Sequence, residues 1–401
     1  MREDPIVITG IARTAIGGFQ GALAGVTAPQ LGTAAVTAAL EDSRLEAADV
    51  EEVFMGCVLP AGLGQAPARQ AALGARLPPS VPCTTVNKMC GSGMQAAILA
   101  HDTILAGLAT DVGGRRVIVA GGMESMTNAP YLLPTARGGQ RMGHGEIRDH
   151  MFLDGLEDAY EPGRAMGTFA EDTAGEYGLS REAQDAFAIT SLERAGRAAA
   201  DGSFEREITP LSVTRRRETV EFKVDEQPGR ARIDNIPRLR PAFAADGTVT
   251  AANSSSISDG AAAVVLMPRS EAERRGCKPL AVVHGHAAHA RRPSQFTTAP
   301  VGAISDLLER CRWSAADVDL FEINEAFAVV TMVAMQELGL PHGKVNVHGG
   351  ACALGHPIGA SGARLIVTLL AALEKYDLRR GVAALCIGGG EATAMAIERP
   401  S

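Results

Sequence analysis

The chain contains 401 residues, of which 46% are hydrophobic and 21% are charged, and its formal net charge is −8. This composition is typical of globular proteins, and the length predicts two or three domains. The acidic balance argues against a nucleic-acid partner, because proteins that bind phosphate backbones normally carry a basic surface.

Cysteine usage and the first residues indicate a cytoplasmic protein. The seven cysteines are an odd number spread widely along the chain, unlike the framework of a disulfide-rich secreted protein. Residues 1–5 are charged and lack the apolar core of a secretion signal. No apolar run approaches the roughly 20 residues that a membrane helix needs, so we expect no membrane association.

Short apolar runs alternate with Ala-rich helical patterns through the first 125 residues. In chain order they predict a strand at 6–10, a helix at 31–40, strands at 50–58 and 83–87, a helix from 90 to about 105, and a strand at 117–120 closed by Gly121 and Gly122. Strands that alternate with helices are typical of parallel sheets covered on both faces. We therefore expect an α/β protein.

The middle of the chain, from about residue 125 to 252, is more polar and contains one clear helical pattern at 181–200. We interpret it as an excursion inserted into the α/β framework, which resumes at residues 260–266. Two motifs of the first part recur later at nearly the same spacing: residues 91–93 resemble 360–362, and residues 119–124 resemble 386–391. This internal repeat predicts two related α/β units. The alternative is a chance similarity between Gly-rich strand ends.

Cys90 lies where a predicted strand passes into a Gly-rich helix start. A helix N-terminus stabilises a thiolate and lowers the pKa of the thiol. The small residues Gly91, Ser92 and Gly93 leave room for a bulky thioester. This context favours a nucleophile, and the alternative is a small buried hydrophobic residue.

His356 and Cys386 are the other candidate catalytic residues. Gly355 and Pro357 fix the backbone around His356, and we expect them to expose its imidazole as a general base. Cys386 ends a predicted strand before Gly388, Gly389 and Gly390, whose N–H groups could stabilise an oxyanion. Surface or core roles are the alternatives for these residues.

A zinc site is the rival interpretation of cysteines beside a histidine. The chain has no paired CxxC or HxxxH unit among Cys90, Cys352, His356 and Cys386. Cys352 and His356 are four residues apart, but the intervening Gly355 and the following Pro357 disfavour a regular helix there. We therefore expect no metal.

Five motifs in order resemble the signatures of the thiolase family over essentially the whole chain. They are residues 86–94 around Cys90, 121–126, 324–327 (Asn-Glu-Ala-Phe), 355–357 (Gly-His-Pro) and 386–390. The resemblance implies an α/β fold of two similar five-stranded halves packed as layered sheets and helices. It also implies a loop domain that covers the coenzyme A site. On this basis we predict an N-terminal half at 1–125 plus 253–275, the loop domain at 126–252, and a C-terminal half at 276–401.

The resemblance also implies roles by position. Cys90 would take the acyl group, His356 would activate it, and Cys386 would move the proton at the α-carbon of the second acetyl-CoA. Asn324, through a bound water, and His356 would form one oxyanion hole, and the N–H groups of Cys90 and Gly388 the other. Residues at substrate- or coenzyme-contacting positions are Met166, Ser255, Phe296, Ala326, Phe327 and Arg230.

Three features of this motif set leave alternatives open. Asn324 sits at a strand-to-helix junction, so it could instead cap the helix. Ala165 stands where many biosynthetic members have His. Phe296 stands where many have Met and some branched-chain relatives have Phe. Both differences put the acyl-chain preference in doubt. Residues 215–217, with Arg230 and Arg232, could meet the coenzyme phosphates or could form an ordinary solvated face.

The expected activity is acetyl-CoA C-acetyltransferase, an acyltransferase that works by a ping-pong mechanism without a metal or redox cofactor. The alternative within the family is a degradative 3-ketoacyl-CoA thiolase for longer or 2-methyl-branched chains. A non-catalytic acyl-CoA or lipid carrier fits less well, because both Cys residues, the His and the Asn are present. Family resemblance further implies acyl-CoA substrates and a homodimer or homotetramer.

Overall fold

The computed structural model describes residues 4–109, 114, 116–215 and 218–400. Within these ranges the strands are β1 Ile6–Thr14, β2 Gly17–Gly18, β3 Glu52–Gly56, β4 Cys83–Val86, β5 Ile118–Ser125, β6 Tyr131–Leu132, β7 Arg148–Asp149, β8 Ile208–Thr209, β9 Leu211–Arg215, β10 Glu218–Phe222, β11 Ser258–Pro268, β12 Ala281–Ala290, β13 Leu320–Ile323, β14 Arg380–Ile387 and β15 Glu391–Glu398. The α-helices are α1 Ala28–Ser43, α2 Pro67–Gly74, α3 Ser92–Leu108, α4 Met166–Glu176, α5 Arg181–Ala200, α6 Glu226–Arg230, α7 Arg269–Arg275, α8 Ala299–Cys311, α9 Ala328–Leu338, α10 Ala351–Leu354 and α11 Ile358–Lys375.

One continuous mixed sheet runs through both halves of the molecule, in the order β13-β14-β15-β12-β1-β11-β5-β3-β4. The first half holds β1, β11, β5, β3 and β4, with β1 antiparallel to β11 from Ile6–Pro268 to Arg13–Ala262. The second half holds β12 to β15. The halves meet at a short seam, where β1 pairs with β12 only through Val7–Val282 and Ile8–Ala281.

Helices and sheets alternate in layers, because each strand buries side chains on both faces. Helices α3 and α11 form the central layer, and one apolar cluster joins them to the inner faces of both halves, for example to Ile118 and Leu385. Helices α1 and α2 cover the outer face of the first half, and α8 covers that of the second. The predicted α/β fold of two layered halves is confirmed. The expected parallel sheets and five strands in each half are corrected, because five of the eight neighbouring pairs are antiparallel and the second half has four strands within the described residues, beside which Val345 forms an isolated bridge to Phe321.

Helices α3 and α11 touch near their N-terminal ends through glycines. A Cβ atom on Gly93 would lie 2.8 Å from the Ala363 nitrogen, and one on Gly362 would lie 2.3 Å from the Met94 nitrogen. Only residues without a side chain allow this approach. The contact brings together the residues that immediately precede the two helices.

The structure corrects two details of the predicted elements. Strand β5 does not end at Gly121–Gly122 but continues to Ser125, because these glycines serve close packing rather than a turn: a Cβ on Gly122 would lie 2.0 Å from the Gly359 oxygen. The middle segment contains α4 and α6 besides the predicted helix, which is confirmed as α5. No helix in the described ranges has the length and apolar character to span a bilayer.

Candidate active site

Cys90 lies in the turn between β4 and α3, two residues before the helix begins. Met89 adopts a left-handed φ of 45°. Ser92 fixes the turn, since its hydroxyl accepts the Lys88 N–H at 2.9 Å and donates to the Met89 oxygen at 2.6 Å. The N–H groups of Cys90 itself and of Gly388 are both directed at the Cys90 sulfur.

The structure corrects the expected low pKa of Cys90. Burial raises the pKa of this thiol to about 11 and outweighs the opposing hydrogen bonds from the N–H groups of Gly388 and Cys90. The neutral thiol is therefore the resting form at pH 7, and attack on a thioester needs a base that removes the proton as the bond forms.

His356 precedes α11 and is buried, not exposed as the sequence predicted. Gly355 adopts a φ of +106° with Ser258 packed against it, a position where a side chain would lie 2.2 Å from the Ser258 hydroxyl oxygen. Burial, assisted by the Arg364 charge, lowers the pKa of His356 to about 3. The imidazole is consequently neutral across the physiological range and can accept a proton.

Ser361 defines which ring nitrogen of His356 is the base. Its hydroxyl donates to the Pro357 oxygen at 2.9 Å and lies 2.5 Å from His356 Nδ1. A hydroxyl has one proton to donate, so the Ser361 oxygen accepts the proton that Nδ1 carries. This tautomer leaves Nε2 unprotonated as the base.

Asn324 follows β13 and is fully buried beside His356. Its Nδ2 atom lies 3.5 Å from both ring nitrogens of His356, and its Oδ1 atom lies 3.4 Å from Arg364 Nη2. Arg364 can only donate, so this contact fixes the orientation of the amide. Helix α9 begins at Ala328; the alternative role of Asn324 as its cap is therefore wrong.

The ion pair between Arg364 and Glu322 lies beneath the Asn324 amide. The two side chains are 2.6 Å apart and both are buried. Burial raises the pKa of Glu322 to about 7 despite the opposing Arg364 charge. The pair supports Arg364 in the position where it contacts Asn324.

Cys386 is 1% exposed, near the end of β14. Burial raises the pKa of its thiol, and the neighbouring Cys90 sulfur raises it further. The structure thus brings the two thiols together at the ends of elements from different halves.

The side chains predicted to form the acyl pocket gather beside Cys386. Phe296, Ala326 and Phe327 belong with Cys386 to one buried apolar cluster, and Met166 packs against it. Met166 also reaches Gly388, where its methyl carbon would lie 3.6 Å from an added Cβ. The N–H of Ser255 donates to the Ala326 oxygen at 2.9 Å. Which of these residues touch substrate stays a prediction.

Two family profiles match nearly the whole chain: the thiolase N-terminal domain over residues 6–270 and the thiolase C-terminal domain over residues 277–399. The chain belongs to the thiolase family. The motif resemblance is thereby confirmed, and this thiolase is an acyltransferase by family.

Named relatives and a solved structure agree with this assignment. The thiolase is 47% identical over 397 residues to an acetyl-CoA acetyltransferase of Cupriavidus necator, covering 98% of this chain and 99% of the relative. It is 47% identical over 400 residues to a cytosolic acetyl-CoA acetyltransferase of Mus musculus, covering 99% of each. A thiolase of Ascaris suum solved with coenzyme A superposes with a TM-score of 0.92 at 41% identity, covering 99% of this chain and 100% of that one.

Arg230 lines a cavity whose lining includes neither of the two site thiols. The cavity has a volume of about 300 Å³ and is also lined by Arg232, Ser256 and Cys352. Arg230 is more than half exposed and pairs with Glu226 at 2.5 Å. The backbone carbonyl of Ser256 accepts the backbone N–H of His356 at 3.1 Å, which links the cavity wall to the site. Residues 216 and 217 of the predicted basic run, and the side chain of Arg215, lie outside the described residues.

Glu124 holds two segments of the site together, a role that the sequence did not predict. It is fully buried and accepts the N–H groups of Val58 at 3.0 Å, Leu59 at 3.1 Å and Gly359 at 2.8 Å. It therefore ties the loop after β3 to the first turn of α11, directly after His356. The signal that could have revealed it is a carboxylate that closes the apolar run of β5.

Proposed function

We propose that this thiolase is an acetyl-CoA C-acetyltransferase, which interconverts two acetyl-CoA molecules with acetoacetyl-CoA and free coenzyme A. The names of its relatives support this activity. The observation that carries the proposal is the convergence of two thiols, a neutral imidazole and an oriented amide at the starts of two packed helices.

In the first half-reaction, Cys90 attacks the thioester carbon of acetyl-CoA while its proton passes to His356 Nε2. The new S–C bond forms, the bond to coenzyme A breaks, and His356 returns the proton to the leaving thiolate. The raised pKa of Cys90 and the lowered pKa of His356 support proton transfer during attack rather than a standing ion pair.

In the second half-reaction, the Cys386 thiol gives its proton to His356 Nε2, and the Cys386 thiolate removes the α-proton of a second acetyl-CoA. The resulting carbanion attacks the acetyl group on Cys90, a C–C bond forms, and the S–C bond to Cys90 breaks. The Cys90 thiolate then takes the proton from His356, so that both thiols and the neutral imidazole are restored. The burial of Cys386 beside Cys90 supports this role, since a desolvated thiolate is a strong base.

Two oxyanion sites would stabilise the developing charges. The N–H groups of Cys90 and Gly388, which already meet at the Cys90 sulfur, would hold the oxygen of the acetyl group on that sulfur. Asn324, through a water, and His356 Nε2, which carries the Cys386 proton at this stage, would hold the enolate oxygen of the second acetyl-CoA. The Arg364 contact supports this second site, because it turns the donor end of the amide towards His356.

Coenzyme A would lie along the cavity that Arg230 and Arg232 line, with its thiol end near Ser255 and Met166. The positive charges of Arg230 and Arg232 suit the phosphates of coenzyme A. The coenzyme is a substrate here, and the proposed steps use only protein side chains and need no metal or redox cofactor.

Phe296 is the residue of the predicted acyl pocket that bears on chain preference. It is 3% exposed and packs edge-on against Phe169 and Phe327, with ring centroids 6.2 and 6.5 Å apart. These rings belong to the buried cluster that contains Cys386. The preference for acetyl and acetoacetyl groups is supported by the names of the relatives.

Two surface features support a homodimer or a tetramer of dimers: an edge strand of the sheet and a segment with exposed apolar side chains. Strand β4 lies at the edge of the sheet, where the same strand of a second copy could pair. The segment after β5 exposes large apolar side chains, among them Tyr131, Met142 and Ile147. A cytoplasmic location would suit the seven cysteines, which are all free thiols.

The test is thiolysis of acetoacetyl-CoA by the Cys90→Ala variant. We expect loss of turnover, and mass spectrometry of wild type incubated with acetyl-CoA should find one acetyl group on the peptide that contains Cys90. Cys311→Ala is the matched control, because that half-buried thiol ends helix α8 and packs against the outer apolar cluster of the second half. Turnover of Cys90→Ala at the level of the control would refute the assignment.

A further inference from the structure

Two histidines and an aspartate converge on the side of the molecule where α3 meets β12. His101 Nδ1 lies 3.0 Å from Asp102 Oδ1, and His286 Nε2 lies 2.8 Å from the same oxygen. The three candidate ligand atoms all lie within 4.8 Å of one another. Two of the residues belong to the helix that follows Cys90, and the third belongs to the second half of the sheet.

We propose that His101, Asp102 and His286 form a binding site for a borderline divalent cation such as Zn²⁺. Two imidazole nitrogens and one carboxylate oxygen are a donor set that zinc accepts, with bonds of about 2.0–2.2 Å. Tetrahedral geometry at that bond length separates ligand atoms by roughly 3.3–3.4 Å. The two contacts to Asp102 therefore need to open by only a few tenths of an ångström.

The surroundings of the three residues suit a cation that keeps one open position. His101 is 6% exposed and is held in the central layer, whereas Asp102 is half exposed and its side chain can rotate. The two rings meet edge to face, with centroids 5.3 Å apart and an angle of 86°, so their nitrogens approach from different directions. A water could complete a four-coordinate site on the exposed side of Asp102.

The site is separate from the proposed catalytic chemistry. His101 lies nine residues along α3 from Ser92, which is about 14 Å at the rise of an α-helix. A bound cation would tie the far part of α3 to β12 and would stabilise the contact between the two halves. Its loss would leave the thiols, His356 and Asn324 in place, so this proposal and the proposed function can fail independently.

The experiment is titration of the metal-free, full-length protein with Co²⁺ alone, followed by absorption spectroscopy and by displacement with Zn²⁺. We expect one equivalent bound by nitrogen and oxygen ligands, and a rise in Tm with Zn²⁺. His286→Ala and Asp102→Asn should each weaken binding by at least about tenfold and abolish the rise in Tm. The matched control is His289→Ala, on the same strand, which removes a histidine that pairs with Asp306 at 2.9 Å.

Three results would overturn the proposal. One is the absence of saturable binding, and another is equal binding by His286→Ala and His289→Ala. The third is a sulfur-to-cobalt charge-transfer band that persists in both variants, because it would show that cysteines hold the metal. Asp102→Asn is expected to fold normally, because the replaced side chain is half exposed. Weaker binding by this variant therefore reports the loss of a ligand and not a folding defect.

Discussion

Replacing Ser361 by Ala tests whether its hydroxyl, which is not expected to touch substrate, fixes the tautomer of His356 that acts as the base. The substitution removes the acceptor for the His356 Nδ1 proton in a buried environment. A buried donor without a partner costs about 1–3 kcal/mol, and the ring can then move the proton to Nε2 and lose its basic form. A barrier increase of that size corresponds to a roughly 5- to 150-fold fall in kcat.

The assay is thiolysis of acetoacetyl-CoA over a range of coenzyme A concentrations and pH values. We expect kcat to fall while KM changes by less than about twofold, because Ser361 acts on the chemical step through His356. Ser361→Thr should retain more activity than Ser361→Ala, since it keeps the hydroxyl.

Thr368→Val is the control for a merely structural effect. Thr368 is buried on the same helix, two turns further on, and its hydroxyl donates to Glu207 at 3.1 Å. The control should lower Tm with little change in kcat. If Ser361→Ala and Thr368→Val lower kcat equally, or if Ser361→Ala leaves kcat unchanged, the tautomer argument is wrong.

Three further predictions follow from the site. The alkylation rate of Cys90 by iodoacetamide should keep rising from pH 7 to about pH 10, because the pKa of the thiol is raised to about 11; a plateau near pH 7 would instead indicate a standing ion pair. Phe296→Ala should increase kcat/KM for longer 3-ketoacyl-CoA thioesters relative to acetoacetyl-CoA, and an unchanged ratio would remove Phe296 from the pocket wall. Glu124→Gln should lower both Tm and kcat, because it turns an amide donor towards buried N–H groups at about 1–3 kcal/mol; normal Tm and kcat would contradict this.

The sequence predicted which residues meet but not how they are buried. Motifs of Gly, Cys and His next to predicted strand ends were enough to select Cys90, His356, Cys386 and Asn324, and the structure brings them together. Their catalytic roles, the substrate contacts and the domain boundaries stay predictions. The selection worked because each residue lies at an element boundary that local composition reveals.

What could not be predicted depends on side chains from distant elements. The pKa of Cys90 is raised because burial among residues of both halves outweighs the helix start, which is all that the local sequence shows. His356 was expected to be exposed for the same reason. Glu124 and Arg364 act on the other half or on the neighbouring strand, so their contacts are invisible until the chain is folded.

The position of β1 has a consequence for how the protein is made. This first strand pairs along most of its length with β11, and over two residues each with β12 and β8; β11 ends at Pro268. At translation speeds of about 5–20 residues per second, β1 waits roughly 13 to 50 s for β11 to leave the ribosome. During that interval Ile6, Ile8 and Ile11, all buried in the finished molecule, lack their β11 neighbours. Nascent chains of this protein should therefore depend on chaperones, and fragments that stop before β11 should aggregate rather than fold.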